Sequence, residues 1–177
     1  MPDFSYRTAP ASVKLAVTAF LLLAVAALGV AALQIYVRTG LTPQGALLHY
    51  RGDEATLQYP KSFAEMVEVA HAHAFTIPMV SLVLAVALLA SSAQEWLKRF
   101  GVVALFSGMT LELGLPWLVR YGPPWAVHLF LLAGALIGSG LFVAVAVPLY
   151  EMWWLKPHAA QAREPGRWPS SGERRAG

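Results

Sequence analysis

The sequence contains no cysteine. Disulfide bonds, thiolate metal sites, c-type haem attachment and iron–sulfur ligation are therefore excluded together. Charge is also scarce, since charged residues make up 13% of the 177 residues while hydrophobic residues make up 57%. A soluble domain of this size would not stay in solution with such a composition, so the chain belongs in a lipid bilayer.

Four long apolar runs dominate what is present. They extend over residues 13–37, 69–90, 101–119 and 125–150. A bilayer is crossed by about 20 residues of helix, so each run is a candidate span. The Tyr-Gly-Pro-Pro segment between the last two runs allows only a tight turn, which makes those spans an antiparallel hairpin. We predict an all-α, integral membrane four-helix bundle that occupies residues 1–156 as one domain.

The connection before the second span carries a helix-start signal. Ser62 and Glu65 have the spacing of a capping box, which places the helix start near Ser62. About two turns should therefore stand above the membrane, at the end of an outer loop over residues 38–68. The tail over residues 157–177 is rich in Pro, Gly, Ser, Arg and Glu, and it cannot bury enough apolar surface to fold. We expect this tail to be disordered or bound to a partner.

Basic residues flank the spans unevenly. One side of the membrane carries Arg7, Lys14, Lys98, Arg99, Lys156, Arg163, Arg167, Arg174 and Arg175. The other side carries fewer basic residues, and acidic residues there partly offset their charge. The positive-inside rule predicts cytoplasmic N- and C-termini in a bacterial inner membrane. Because the basic residues lie at span ends and in the tail rather than on one face, the net charge of +3 does not indicate nucleic-acid binding.

Ionisable residues within or near the spans are the candidates for function, because such residues are costly to keep in a membrane. They are Glu68, His71, His73, Glu112 and His128. The predicted topology places all of them in the outer third of the bundle. His71 and His73 point about 160° apart around one helix, so they cannot both face the same ligand.

The sharpest hypothesis is a b-type haem near the periplasmic surface. His71 or His73 would be one axial ligand and His128 the other. Arg120 or Arg51 would pair with the haem propionates. In the alternative interpretation no cofactor is bound, and the histidines are interfacial residues that bond to water, loop carbonyls or lipid headgroups.

A second pattern is Glu68-x-x-His71, which puts a carboxylate and an imidazole on one helix face, as in carboxylate-bridged di-iron bundles. A di-iron site needs two such pairs, and the chain offers one. A single metal ion is therefore the remaining form of this hypothesis, with ligands that suit iron, zinc or manganese. The ligands would be Glu68, His71, Glu112 and His128.

Glu112 stands out because it lies within an apolar run. Pro116, four residues later, removes the amide that would bond the Glu112 carbonyl, and we expect the helix to kink there. A membrane carboxyl near freed carbonyls is typical of a proton-transfer group, a quinol-site acid or a cation ligand. A carboxyl that only fixes helix packing is the equal alternative.

Glycines form a small-residue pattern in the fourth span. Gly134 and Gly138 are four residues apart, and Gly140 follows. This pattern admits either a neighbouring helix or a flat macrocycle, and helix packing is the more common cause.

The stretch from Leu47 to Phe75 contains His-Tyr-Arg-Gly, then Tyr-Pro-Lys-Ser-Phe-Ala-Glu, and finally His-Ala-His-Ala-Phe. It resembles a family of small four-helix bacterial membrane proteins that are sometimes mislabelled as a translation elongation factor. The resemblance covers about half of the chain, from the outer loop into the third span. It implies the membrane topology, and a loop that acts as one unit with the His-Ala-His segment, but it implies no activity.

Two functions remain open. One is a small membrane redox subunit that passes electrons between quinol and a periplasmic carrier. The other is a cofactor-free accessory or structural subunit of a respiratory or photosynthetic membrane complex. The sequence shows no catalytic triad, phosphate-binding loop or zinc-protease spacing. We therefore expect a non-catalytic or electron-transfer subunit rather than a stand-alone enzyme, with the bilayer and a larger membrane complex or periplasmic electron carrier as partners.

Overall fold

The computed structural model describes residues 4–55 and 57–156. Helices make up the fold of this part of the chain: α1 (Ala11–Thr39), α2 (Pro43–Arg51), α3 (Phe63–Leu89), α4 (Glu95–Tyr121), a 3-10 helix (Pro124–His128) and α5 (Leu129–Trp153). Of these, α1, α3, α4 and the 3-10 helix joined to α5 are long and apolar enough to cross a membrane. The predicted all-α membrane bundle is confirmed. The expected tail over residues 157–177 lies outside the described residues.

Helix α3 begins where the capping box predicts. The Ser62 backbone N–H donates to Glu65 Oε2 at 2.7 Å, and the Glu65 N–H donates to Ser62 Oγ at 3.3 Å. The helix then runs for 27 residues through Pro78, which is about 40 Å and longer than the ~30 Å hydrocarbon core. Its first turns therefore have the length to project above the membrane.

The α4–α5 hairpin is the most closely packed part of the bundle, and glycines make it so. A Cβ added at Gly140 would lie 2.6 Å from the Leu105 backbone nitrogen, and one at Gly108 would lie 2.7 Å from that of Ile137. By contrast, a Cβ at Gly134 or Gly138 would meet nothing within 4 Å. Of the glycine pattern in the fourth span, only Gly140 makes the close helix contact.

Helix α1 is only loosely attached to the other helices. Leu21 and Ala24 are its buried residues, and they join the core that α3, α4 and α5 share. Residues 29–38 of α1 are all exposed. The second half of α1 thus packs little against the rest of the described chain.

The two ends of the bundle differ in structure. The loop end carries the loop cap, which we define as residues 40–62, together with the turn between α4 and the 3-10 helix. The strap end carries residues 4–10, which we call the strap, with the α3–α4 connection and the end of α5. The strap crosses this end through hydrogen bonds to both of these elements.

Candidate functional site

Helix α2 lies across the loop end of the bundle, against the end of α4 and the 3-10 helix. Thr42 caps it, with Oγ1 accepting from the Gly45 N–H at 3.0 Å. Ala46 then packs into a small apolar cluster with residues at the end of α4 and in the 3-10 helix. These are Val119, Ala126 and Val127, with Tyr50 and Phe130 at the margin. The cluster fixes α2 above the loop end of α4.

Arginine side chains tie the loop cap to the membrane helices. Arg51 Nε donates to the Val119 carbonyl at 2.7 Å, and Arg51 Nη2 donates to the Gly122 carbonyl. Arg120 Nε donates to the Lys61 carbonyl at 2.7 Å. The last carbonyls of a helix have no partner within it, so a guanidinium placed there satisfies them. Arg120 and Arg51 were the predicted partners of the haem propionates. In the structure their side chains connect the loop cap to the end of α4 through hydrogen bonds.

Arg51→Ala should free the loop cap from the α4 end. Hydrogen bonds from a charged donor contribute about 1.5–3 kcal/mol, so the open cap should become roughly ten-fold or more populated. Limited proteolysis after Glu54 by a glutamate-specific protease would measure this as a faster cleavage rate. Arg38→Ala is the matched control, because Arg38 is an exposed arginine at the end of α1. Equal cleavage rates in the two variants would show that Arg51 does not hold the loop cap on α4.

Tyr50 carries a phenol on the side of α2 that packs against the bundle. Its ring stacks on Phe130 with centroids 6.1 Å apart and meets His49 edge-on at 5.0 Å. Burial and, after it, the charge of Glu112 raise the pKa of Tyr50 to about 12, while Arg38 acts in the opposite direction. Tyr50 therefore stays protonated at physiological pH and can donate a hydrogen bond.

Glu112 lies on the side of α4 that faces the bundle. It is three residues from Met109 and three from Leu115, and both of these are buried. The Glu112 side chain itself is half-buried, and it lies within electrostatic range of His73 and Tyr50. Within the described residues its carboxyl makes no hydrogen bond. The structure therefore leaves a partly accessible carboxyl with acceptor capacity inside the membrane part of the protein.

His73, rather than His71, is the α3 histidine near this carboxyl. Its Nδ1 lies 2.8 Å from the Val69 carbonyl. A carbonyl can only accept, so Nδ1 carries a proton, and in the neutral ring Nε2 keeps its lone pair. His71 instead meets Phe75 edge-on, with centroids 6.4 Å apart. The two histidines thus separate as the helix geometry predicts.

The other predicted metal ligands lie at the surface, as His73 also does. Glu68, His71 and His128 have exposed side chains, and the 3-10 helix that ends at His128 packs on α2, α4 and α5. In the described part of the chain, no three His, Asp or Glu residues are placed to hold one metal ion. The single-ion arrangement of Glu68, His71, Glu112 and His128 is therefore not assembled here.

A carboxyl at the strap end, Glu151, was not among the predicted site residues. It is 2% exposed. Its Oε2 accepts from the Ser92 backbone N–H at 2.6 Å, and its Oε1 accepts from Ser5 Oγ at 3.1 Å. Beside it, the Tyr6 hydroxyl donates to the Ala87 carbonyl at 3.0 Å, and burial followed by Glu151 raises the pKa of Tyr6. Glu151 therefore joins the strap, the α3–α4 connection and α5.

Residues 40–159, about two thirds of the chain, match a family described as a transmembrane helical domain. The chain belongs to this family. The transmembrane helical domain begins at Gly40, which caps α1, so it comprises α2 to α5 and contains His73, Glu112 and Glu151. The match supports the membrane character that the resemblance implied, and it adds no activity. No curated protein and no solved structure matches the chain.

Proposed function

We propose that this transmembrane helical domain is a small redox subunit that binds the headgroup of a membrane quinol at its loop end. Glu112 carries the proposal, because it is a half-buried carboxyl within electrostatic range of His73 and Tyr50 that makes no hydrogen bond in the described chain. A carboxyl that lies in a membrane without a partner in the protein is expected to bind a ligand or a proton as part of its function.

The three groups match the two redox forms of a quinone. A quinol has two hydroxyl groups that donate hydrogen bonds. The Glu112 carboxylate and the His73 Nε2 lone pair can accept these bonds. A quinone has carbonyl acceptors instead, to which the Tyr50 phenol can donate. Phe130, stacked on Tyr50, adds an aromatic face of the kind that packs against a quinone ring.

The depth of Glu112 suits a ligand that enters from the bilayer. Glu112 precedes the end of α4 at Tyr121 by nine residues, or about 13 Å of helix. The polar head of a quinol would reach this level while its apolar tail stays among the lipid chains. Its oxidation releases two electrons and two protons. We infer that Glu112 and His73 take up the protons, and that the electrons pass to a one-electron carrier such as a haem.

Glu112→Gln tests the quinol site. The exchange keeps the size of the side chain but replaces a charge-assisted hydrogen bond with a neutral one, a loss of about 1–2 kcal/mol. A short-chain ubiquinol analogue, kept reduced at pH 8, should therefore bind the purified variant roughly 5- to 30-fold more weakly. Equilibrium dialysis would give both dissociation constants.

Glu68→Gln is the matched control, because Glu68 is an exposed carboxyl at the loop end of α3. It should bind the analogue as the unmodified protein does. The quinol site is wrong if the two variants bind alike, or if the unmodified protein does not bind the analogue at all.

A b-type haem remains part of the proposal for the redox subunit. Because the quinol would occupy the His73 Nε2, His71 would be the α3 ligand of this haem, with His128 as the predicted second ligand. The purified protein should then show a b-type alpha band in its reduced-minus-oxidised spectrum, and His71→Ala should remove it. A colourless protein that has been supplied with haem during expression would rule this cofactor out.

Membership of a larger complex without a cofactor is the second candidate function. The exposed surface of α1 over residues 29–38 favours it, because a partner subunit could pack there. The same purification separates the two candidates. A cofactor-free accessory subunit should be colourless, should co-purify with a larger membrane complex and should be lost from cells that lack that complex.

The proposed location is the bacterial cytoplasmic membrane, with the strap end in the cytoplasm. Basic residues at the strap end support this orientation, namely Arg7, Lys14, Lys98, Arg99 and Lys156. The loop end would then face the periplasm, where quinol protons can be released and a soluble electron carrier can dock.

A further inference from the structure

The strap end contains a cavity of about 440 Å³ that has no part in the quinol site. It opens between the strap, the start of α4 and the end of α5. The polar side chains of Arg7, Ser92 and Gln94 contribute to its lining, and Leu97, Val147 and Leu155 contribute apolar surface. Its volume lies within the range of small-molecule sites, about 300–1,000 Å³. The wall of the cavity is mainly apolar and carries a few polar groups.

The polar side chains at the cavity include hydrogen-bond donors. Arg7 Nη2 donates to Ser92 Oγ at 3.2 Å, which positions the guanidinium at the cavity. Gln94 accepts from Trp96 Nε1 at 2.5 Å through its carbonyl oxygen, so its amide N–H groups stay available. The Glu151 carboxylate also lines the cavity, but the Ser5 hydroxyl and the Ser92 N–H already bind it. A guanidinium beside amide and hydroxyl donors is suited to a phosphate group.

The apolar wall and the surrounding charge indicate the rest of the ligand. Leu97 and Val147 belong to membrane-crossing helices, so the wall continues toward the lipid chains. Lys14, Lys98 and Lys156 lie at the same end of the bundle and make this end positively charged. Such basic clusters beside a membrane attract anionic lipids. A free phosphate ion would gain nothing from the apolar wall.

We propose that this cavity binds an anionic phospholipid. Arg7, Ser92 and Gln94 hold its phosphate, and the upper part of one acyl chain lies along Leu97 and Val147. The lipid would bridge the strap to α4 and α5, because Arg7 belongs to the first of these elements and the wall to the other two.

Thermal unfolding of the delipidated protein in detergent tests the site. Added phosphatidylglycerol should raise Tm in a saturable way, whereas phosphatidylcholine and inorganic phosphate should not. An equal rise with phosphatidylcholine would show a general lipid effect, and a rise with inorganic phosphate alone would show a soluble-anion site. Either result would overturn the proposal.

Variants locate the effect within the cavity. Arg7→Gln should weaken phosphatidylglycerol binding roughly ten-fold or more, because it removes the charged donor. Arg99→Gln is the matched control, since Arg99 is an exposed arginine that pairs with Glu95 outside the cavity. Ala146→Leu should also abolish the Tm rise, because it fills the cavity without touching the strap hydrogen bonds. If Arg7→Gln fails to fold, Ala146→Leu decides alone, and an unchanged lipid response in that variant would refute the site.

Discussion

Gly140→Ala should destabilise the protein by about 1–3 kcal/mol, as overpacking of a close contact does. The new methyl group would lie 2.6 Å from the Leu105 nitrogen and 2.9 Å from its Cα. These are backbone atoms, so no side-chain rotation relieves the clash, and α4 must move away from α5. Unfolding by SDS titration in detergent micelles would measure the change.

Gly138→Ala is the control for this experiment. Gly138 lies on the same helix, but its added Cβ meets nothing within 4 Å. Alanine also favours the helix by up to about 1 kcal/mol over glycine. This variant should therefore unfold at the same SDS concentration as the unmodified protein or a higher one. Equal destabilisation at both glycines would show that the hairpin does not depend on the close approach at Gly140.

Glu151→Ala should cost about 2–4 kcal/mol, because it removes the hydrogen bonds from the Ser92 N–H and the Ser5 hydroxyl to a buried carboxylate, and hydrogen bonds to charged groups contribute about 1.5–3 kcal/mol. The strap should also loosen, since Ser5 would lose its bond to α5. Two measurements would detect these effects, namely SDS unfolding and the rate of trypsin cleavage after Arg7.

Glu95→Ala separates this buried network from ordinary surface charge. Glu95 also lies at the strap end, but its side chain is 65% exposed in the pair with Arg99. Exposed pairs contribute little, about 0–1 kcal/mol, so this variant should unfold nearly as the unmodified protein does. A similar loss at Glu95 and Glu151 would contradict the role of Glu151 as the centre of the strap end.

The spans and the start of α3 could be predicted because their causes are local. Apolar length alone defines a span, and the capping box needs only Ser62 and the residue three positions on. Helix α2 also has a local signal, since Thr42 before Pro43 is a typical helix start. Its docking on α4 could not be predicted, because that depends on Arg51 reaching carbonyls some 70 positions away in the sequence.

The site was predicted in part. Helix geometry required His71 and His73 to diverge, and the partners that the structure gives each ring show that His73 is the one near Glu112. Glu112 was recognised because it is the one charged residue between Arg99 and Arg120 in the sequence. Glu151 was missed because it stands beside interfacial residues at the end of a span. Its partners, Ser5 and Ser92, are far away in the sequence, so no local pattern marks it.

The contact between Ser5 and Glu151 joins residues 146 positions apart. Ribosomes add roughly 5–20 residues per second, so the first partner waits between about 7 and 30 s for the second to be made. Throughout that time the strap has no α5 to bind. The strap end can therefore close only after every span has been synthesised, which makes its closure a late step in the biosynthesis and folding of the protein.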